Sequence, residues 1–161
     1  MIRFVFMEKA KGEQFLPMLF DILYDNMRII APSGEGYEED KRIWLSNVAP
    51  AIQKEPRQII LMYADDDLAG YLQYYINGGI FMVEEIQIKS QYQRTTLFYA
   101  ICRFMLGIIS LDTIYIEAYA EKRNQNSRRI IGKLGMEQIG ENGSYLHYRG
   151  SMDSVRNIFA K

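Results

Sequence analysis

The 161-residue sequence has one cysteine, Cys102, and one histidine, His147. No disulfide can form within such a chain, and no zinc site built from several Cys or His ligands is available. A Ser–His–Asp or Cys–His nucleophilic device would have to use His147 itself. A lone thiol suits a reducing compartment, so cytoplasm is the expected location. An excess of either charge is also missing, since 19 basic and 20 acidic side chains leave a net −1. No broad field exists to gather nucleic acid or an anionic membrane, and neither is expected as a partner. No apolar run approaches the ~18 residues that span a bilayer. The segment Met1–Lys9 turns charged too early for a signal peptide.

What is present is globular in character. Apolar residues make up 48%, charged residues 24%, and 12 Tyr with 8 Phe supply aromatic mass for a core. The length predicts one domain over residues 1–161. Patterning predicts strands at Ile2–Met7, Arg57–Tyr63, Leu68–Ile76, Ile80–Ile88, Thr113–Tyr119, Met136–Ile139 and Ser144–Arg149. Asn77-Gly78-Gly79 is a hairpin signal, and Asp65-Asp66-Asp67 reads as a turn. Helices are predicted at Gln14–Met27, with Pro17 in its first turn, and at Tyr37–Val48, closed by Pro50. Leu97, Ala100, Ile101, Phe104, Met105 and Ile108 form the clearest amphipathic stripe, on a helix starting near Thr95 or Thr96. Cys102 lies within that helix and reads as a small core residue. A helix over Asn124–Leu134 is capped by Asn124 or Asn126 and stopped by Gly135, and Ser151–Lys161 is a terminal helix. This order implies an α/β sheet of mixed direction with helices on both faces.

Two blocks carry a family resemblance. The first runs from Val83-Glu84-Glu85-Ile86-Gln87-Ile88 through Ser90-Gln91-Tyr92-Gln93-Arg94-Thr95-Thr96-Leu97-Phe98. The second is Asn124-Gln125-Asn126-Ser127-Arg128-Arg129-Ile130-Ile131-Gly132-Lys133-Leu134-Gly135-Met136. With the element order, they resemble the GNAT superfamily of N-acetyltransferases. In that family an acidic pair on a strand is followed by P-x-[YF]-[QR]-x-x-G-x-[GA], and later by N-x-x-A-x-x-[LF]-Y-x-K-L-G-F. The resemblance implies a single-domain α/β (α+β) fold with a central, mixed, splayed sheet of six to seven strands. It implies acetyl-CoA as co-substrate, no metal, and a primary amine on a small molecule or peptide as acceptor.

The resemblance also assigns residues. The pantetheine arm would follow Ile86, Gln87 and Ile88. The pyrophosphate would meet Gln93, Arg94, Thr95, Thr96, Leu97 and Phe98, where a helix start offers unpaired N–H groups at its positive end. Asn124 is the remaining cofactor contact. Thr96 and Phe98 stand where the family has Gly and Gly or Ala, and Ser90 stands where it has Pro. Ile131 replaces the Tyr that protonates the leaving thiolate, and Tyr119 is the nearest substitute. Glu84 and Glu85 point to opposite faces of their strand, so they cannot form a dyad. One of them would deprotonate the amine, and Glu84 is the first choice. Two other readings remain: the same fold acting as a binding or regulatory module without acyl transfer, and a structural subunit whose Tyr-rich strand edge pairs with a second copy as a homodimer.

Overall fold

The computed structural model describes residues 1–160. Seven strands and five α-helices follow one another as β1 (Ile2–Phe6), α1 (Gly12–Ile30), α2 (Tyr37–Ile52), β2 (Gln58–Ala64), β3 (Asp67–Asn77) and β4 (Ile80–Ile88). Then come α3 (Leu97–Ile108), β5 (Tyr115–Glu121), α4 (Gln125–Lys133), β6 (Glu137–Asn142), β7 (Tyr145–Ser151) and α5 (Met152–Phe159). The strands hydrogen-bond in the order β1-β2-β3-β4-β5-β7-β6. β4 and β5 run parallel, whereas β1/β2, β5/β7 and β6/β7 are antiparallel, so the sheet is mixed as expected. The β4–β5 register covers Ile80–Val83 against Tyr115–Ala118, although β4 continues to Ile88 and β5 to Glu121.

Internal contacts gather into two compact units, one comprising Met1–Gln73 with Glu85–Phe98 and the other Tyr74–Glu84 with the chain from Tyr99 onward. In the first unit, α1 presents Leu16, Leu19 and Ile22 to Ile59, Leu61, Leu68 and Tyr71 of β2 and β3, with Ile52 closing the core. The β3–β4 backbones lie so close that a Cβ on Gly70 would come within 2.4 Å of the Gln87 carbonyl oxygen. In the second unit, Ile116, Ala118 and Ala120 alternate inward along β5, as do Leu146 and Tyr148 along β7. The same alternation aims Tyr115, Glu117 and Tyr119 at the opposite face. Tyr99 of α3 packs on Phe159 of α5, with ring centroids 4.9 Å apart.

All the expected elements exist, and the differences are at their ends. α1 starts at Gly12, so Pro17 lies in its second turn. No side chain caps that end, which leaves the sequence without a start signal. Pro50 does not close α2 but lies in its last turn, and the helix stops two residues later. α3 starts at Leu97 and β5 is displaced to Tyr115–Glu121. β6 continues through Glu141 and Asn142, and the turn narrows to Gly143 (φ 59°) and Ser144. Asn124 and Gly135 do bound α4: Asn124 accepts from the Ser127 N–H at 3.1 Å, and Gly135 has φ 80°. The terminal helix is described from Met152, capped by Ser151, to Phe159; Lys161 lies outside the described residues.

Candidate functional site

Most of the predicted site residues fall in the first unit. Alternation along β4 puts Glu85 and Gln87 on one face and Glu84, Ile86 and Ile88 on the other. Glu85 is partly buried. Its Oε1 accepts from the Gln87 amide at 2.6 Å, and no cation pairs with it among the described residues. Burial pushes its carboxyl from 4.5 up to about 7, while the Gln87 hydrogen bond pulls the other way. Tyr71 of β3 is fully buried, and its hydroxyl has no hydrogen-bond partner. Burial, aided by the Glu85 charge, holds that phenol well above its ordinary range.

After β4 the chain makes one 3₁₀ turn, Ser90–Tyr92, and then bends through Gln93–Thr96 into α3. The bend is fastened on both sides. Asp67 accepts from Lys89 Nζ and from the Tyr92 hydroxyl, each at 2.8 Å, and these two bonds hold its carboxyl below the usual range. The Thr95 hydroxyl donates to the Tyr92 carbonyl at 2.5 Å and accepts from the Leu97 N–H at 3.3 Å. Arg94 sits between these ties with φ 62°, an unusual conformation for a residue other than Gly. Gln93, Arg94, Thr95 and Thr96 are exposed, Phe98 is partly buried, and Leu97 is a core residue that offers only its backbone.

The bend has the properties of a diphosphate site. A helix start leaves its first N–H groups without intrahelical partners, and the helix dipole favours an anion there. α3 has no acidic residue in its first turn, and Arg94 stands exposed just before it. Phe98 is turned partly into the protein. The chemistry of the donors therefore fits the phosphates of a coenzyme A molecule, despite the absence of both expected glycines.

The second unit holds Glu84, Tyr119 and Asn124. Tyr119 is 43% exposed and stacks on His147, with ring centroids 4.3 Å apart and planes 12° apart. His147 Nε2 lies 2.5 Å from Glu117 Oε1, and Arg149 Nη2 donates to Glu117 Oε2 at 2.9 Å. Glu117 is only 4% exposed, and Arg149 also lies over the Tyr115 ring at 4.6 Å. Cys102 is partly buried in α3, and burial raises its thiol to about 12, so it is no nucleophile. Among the described residues no group of His, Cys, Asp and Glu is placed to hold a metal ion.

Similarity to solved structures decides the fold. A PaiA N-acetyltransferase from Thermoplasma acidophilum, solved in complex with coenzyme A, superposes with TM-score 0.69 at 13% identity, covering 94% of this chain and 99% of that one. A GNAT-family protein from Desulfovibrio desulfuricans gives TM-score 0.70 at 15% identity, covering 94% and 99%. The chain has the GNAT fold. The spermidine/spermine N-acetyltransferase SpeG from Vibrio cholerae shares it too, with TM-score 0.61, 14% identity and coverage of 98% and 97%. No protein-family profile and no curated protein matches the sequence itself.

Sequence reasoning missed the groups that surround these residues. Asn26 near the end of α1 hydrogen-bonds to Gln87 and receives Gln93, yet nothing in its sequence context marks it. Glu117 lies in a strand where its pairing with His147 and Arg149 becomes visible only in the β5–β7 register. A cleft of about 530 Å³ is lined by Asp21, Asp25, Asp66 and Asp67 together with Asn26 and Tyr63. Its carboxylates come from α1 and from the turn before β3, which are far apart in sequence.

Proposed function

We propose that the protein is an N-acyltransferase that moves an acyl group, most simply acetyl, from coenzyme A to a primary amine. One observation carries the reading. A carboxyl raised to about 7, that of Glu85, lies on the strand leading into a diphosphate-suited bend, within the GNAT fold. Bound acetyl-CoA supplies the acyl group as an activated thioester. The exposed Gln93–Thr96 bend and the start of α3 hold its phosphates, and backbone groups of Ile86–Ile88 align its arm.

Glu85 is the proposed base, in preference to Glu84. A group that ionises near neutral pH can take a proton from an ammonium and still release it to solvent. Tyr119 is the proposed proton donor on the leaving-group side, since Ile131 carries no proton. Much of the remaining rate enhancement comes from positioning, which tolerates an incomplete acid–base set. A second reading is favoured by Ile131, Thr96 and Phe98: a GNAT-fold module that binds coenzyme A without transfer.

Thermal unfolding with acetyl-CoA and with CoA, followed by thiol release over an amine panel, separates the readings. The panel spans mono-, di- and polyamines because the cleft beside Asn26 carries four aspartates. Stabilisation together with thiol release, lost in Glu85→Gln, supports acyl transfer. Stabilisation without release from any amine supports the binding module, and no stabilisation by either ligand defeats both.

A further inference from the structure

Four side chains in the first unit form one unbroken hydrogen-bonded chain. Gln93 Nε2 donates to Asn26 Oδ1 at 3.2 Å, and Asn26 Nδ2 donates to Gln87 Oε1 at 2.9 Å. Gln87 Nε2 then donates to Glu85 Oε1 at 2.6 Å. Every donor points the same way, from the bend before α3 toward the carboxyl. Bonds aligned in this manner polarise and strengthen one another.

The direction is pinned by a backbone atom. The Ile88 carbonyl accepts from Asn26 Nδ2 and from Gln93 Nε2, both at 2.9 Å. A carbonyl oxygen can only accept, so reversing either amide would lose its bond to Ile88 and set like groups against each other. The pinned direction delivers an N–H to Glu85, which favours the carboxylate and opposes the desolvation of the site. No charge shares this task. Gln87 on β4, Tyr71 on β3 and Asn26 on α1 are the polar groups on this side, and none of them is a cation.

The far end of the chain is accessible. Gln93 is exposed in the bend that suits a diphosphate, whereas Gln87 is buried. We propose that Asn26 and Gln87 are positioning residues forming an amide relay, through which a ligand engaging Gln93 alters the proton exchange of Glu85. The relay rests on the acyltransferase reading for its ligand but not for its effect on Glu85. By linkage, protonation of Glu85 must alter ligand affinity by the same factor.

The test is a carbon-13 NMR titration of the Glu85 carboxyl, assigned by its loss in Glu85→Gln, in the full chain without ligand and with saturating CoA. Without ligand, Gln87→Leu and Asn26→Leu should each raise the midpoint by about one pH unit, a tenfold gain in proton affinity. The exposed-site variant Gln93→Leu should raise it about threefold in affinity and keeps the test available if a buried variant fails to fold. CoA should raise the wild-type midpoint and leave that of Asn26→Leu unmoved. Unchanged midpoints in the unliganded variants overturn the relay. A CoA-induced shift that persists in Asn26→Leu is a direct field of the phosphates and overturns the linkage. Absence of CoA binding by calorimetry strikes the functional reading instead, and the relay then stands or falls on the unliganded variants.

Discussion

Glu85 and Glu117 are the same side chain in opposite surroundings. Glu117 is 4% exposed and spends both oxygens on groups that can carry positive charge, His147 at 2.5 Å and Arg149 at 2.9 Å. Glu85 has only a neutral amide at 2.6 Å, and burial raises its carboxyl to about 7. A carboxylate fixed between cations organises structure, and removing one partner leaves an uncompensated charge. A carboxyl held by amides alone keeps its proton negotiable at neutral pH, as general base chemistry requires. The difference lies in the partners, so the decisive experiments change partners as well as glutamates.

The largest effect is expected from Glu85→Gln. On the proposed reading it lowers kcat by about 10³-fold, within the range for losing a general base. Stability should move the other way. The folded-state value, about 7, lies above the unfolded value of 4.5, so the folded protein holds the extra proton between them. The associated stabilisation is complete below pH 4.5 and is lost as pH rises through about 7. Wild type should therefore lose roughly 3 kcal/mol from this site between acid and pH 8, and Glu85→Gln should not. Urea unfolding of both proteins at pH 5 and pH 8 reads the difference; parallel pH profiles would remove Glu85 from the base role. The pH–rate profile of wild type should rise through about 7.

Backbone proximity separates the two units next. At Gly70 a Cβ would meet the Gln87 carbonyl oxygen at 2.4 Å and Ile88 Cα at 3.2 Å, both part of the β4 backbone. At Gly150 the nearest atom, at 2.8 Å, is Cγ of Met136, the middle of a flexible side chain. Gly70→Ala should cost about 3 kcal/mol and Gly150→Ala about 1, because strands yield less readily than a rotamer. Gly70→Ala should also disturb activity, since it presses on the residue that holds Glu85. Equal losses in denaturant midpoint would mean that β3 and β4 part more easily than their contact suggests.

How much of this was legible in the sequence follows from the range of each interaction. The Leu97–Ile108 stripe, the Asn77-Gly78-Gly79 hairpin and the Asn124 and Gly135 boundaries are local signals, and all three lead to the right elements. Two motif blocks identified the fold at identities of 13–15%, where the comparison of sequences alone finds no relative. Choosing between Glu84 and Glu85 was beyond the sequence, because alternation separates their faces without saying which face is desolvated. Asn26 and Gln87 are 61 positions apart, and Glu117 and His147 are 30 apart. No pattern within a window links such pairs. The mismatches at Thr96 and Phe98 looked prohibitive as letters. In the structure one is exposed and the other partly buried, with Thr95 and Arg94 shaping the bend.

Arg149→Met tests the other side of the comparison. It leaves Glu117 buried with His147 as its remaining partner. Loss of one partner of a buried pair typically costs 3–5 kcal/mol. Arg149 is 39% exposed and His147 stays, so the expected cost is about 2 kcal/mol. Adding Glu117→Gln should restore at least half of it, because the uncompensated charge is then gone. If the double variant is no better than the single, Glu117 is not the charge that needs Arg149, and the contrast with Glu85 loses its basis.

The smallest expected effect concerns helix caps. In the first unit Thr95 accepts from the Leu97 N–H, but α3 is also anchored by Leu97, Ile101 and Met105, each at most 3% exposed. In the second unit Asn124 caps α4, a helix of nine residues with no fully buried side chain. Short helices rely on their termini because nucleation is costly and little packing offsets it. Asn124→Ala should thus cost about 1 kcal/mol, at the upper part of its effect on α4 itself. Thr95→Ala should cost less in global unfolding, because the buried stripe holds α3 in place. Amide hydrogen exchange over residues 125–128 and 97–100 distinguishes the two: protection should fall about fivefold in the first segment, the equivalent of about 1 kcal/mol, and less in the second. A larger loss at α3 would mean that its N-terminal turn, and with it the bend assigned to the phosphates, is held by the Thr95 hydroxyl more than by the core.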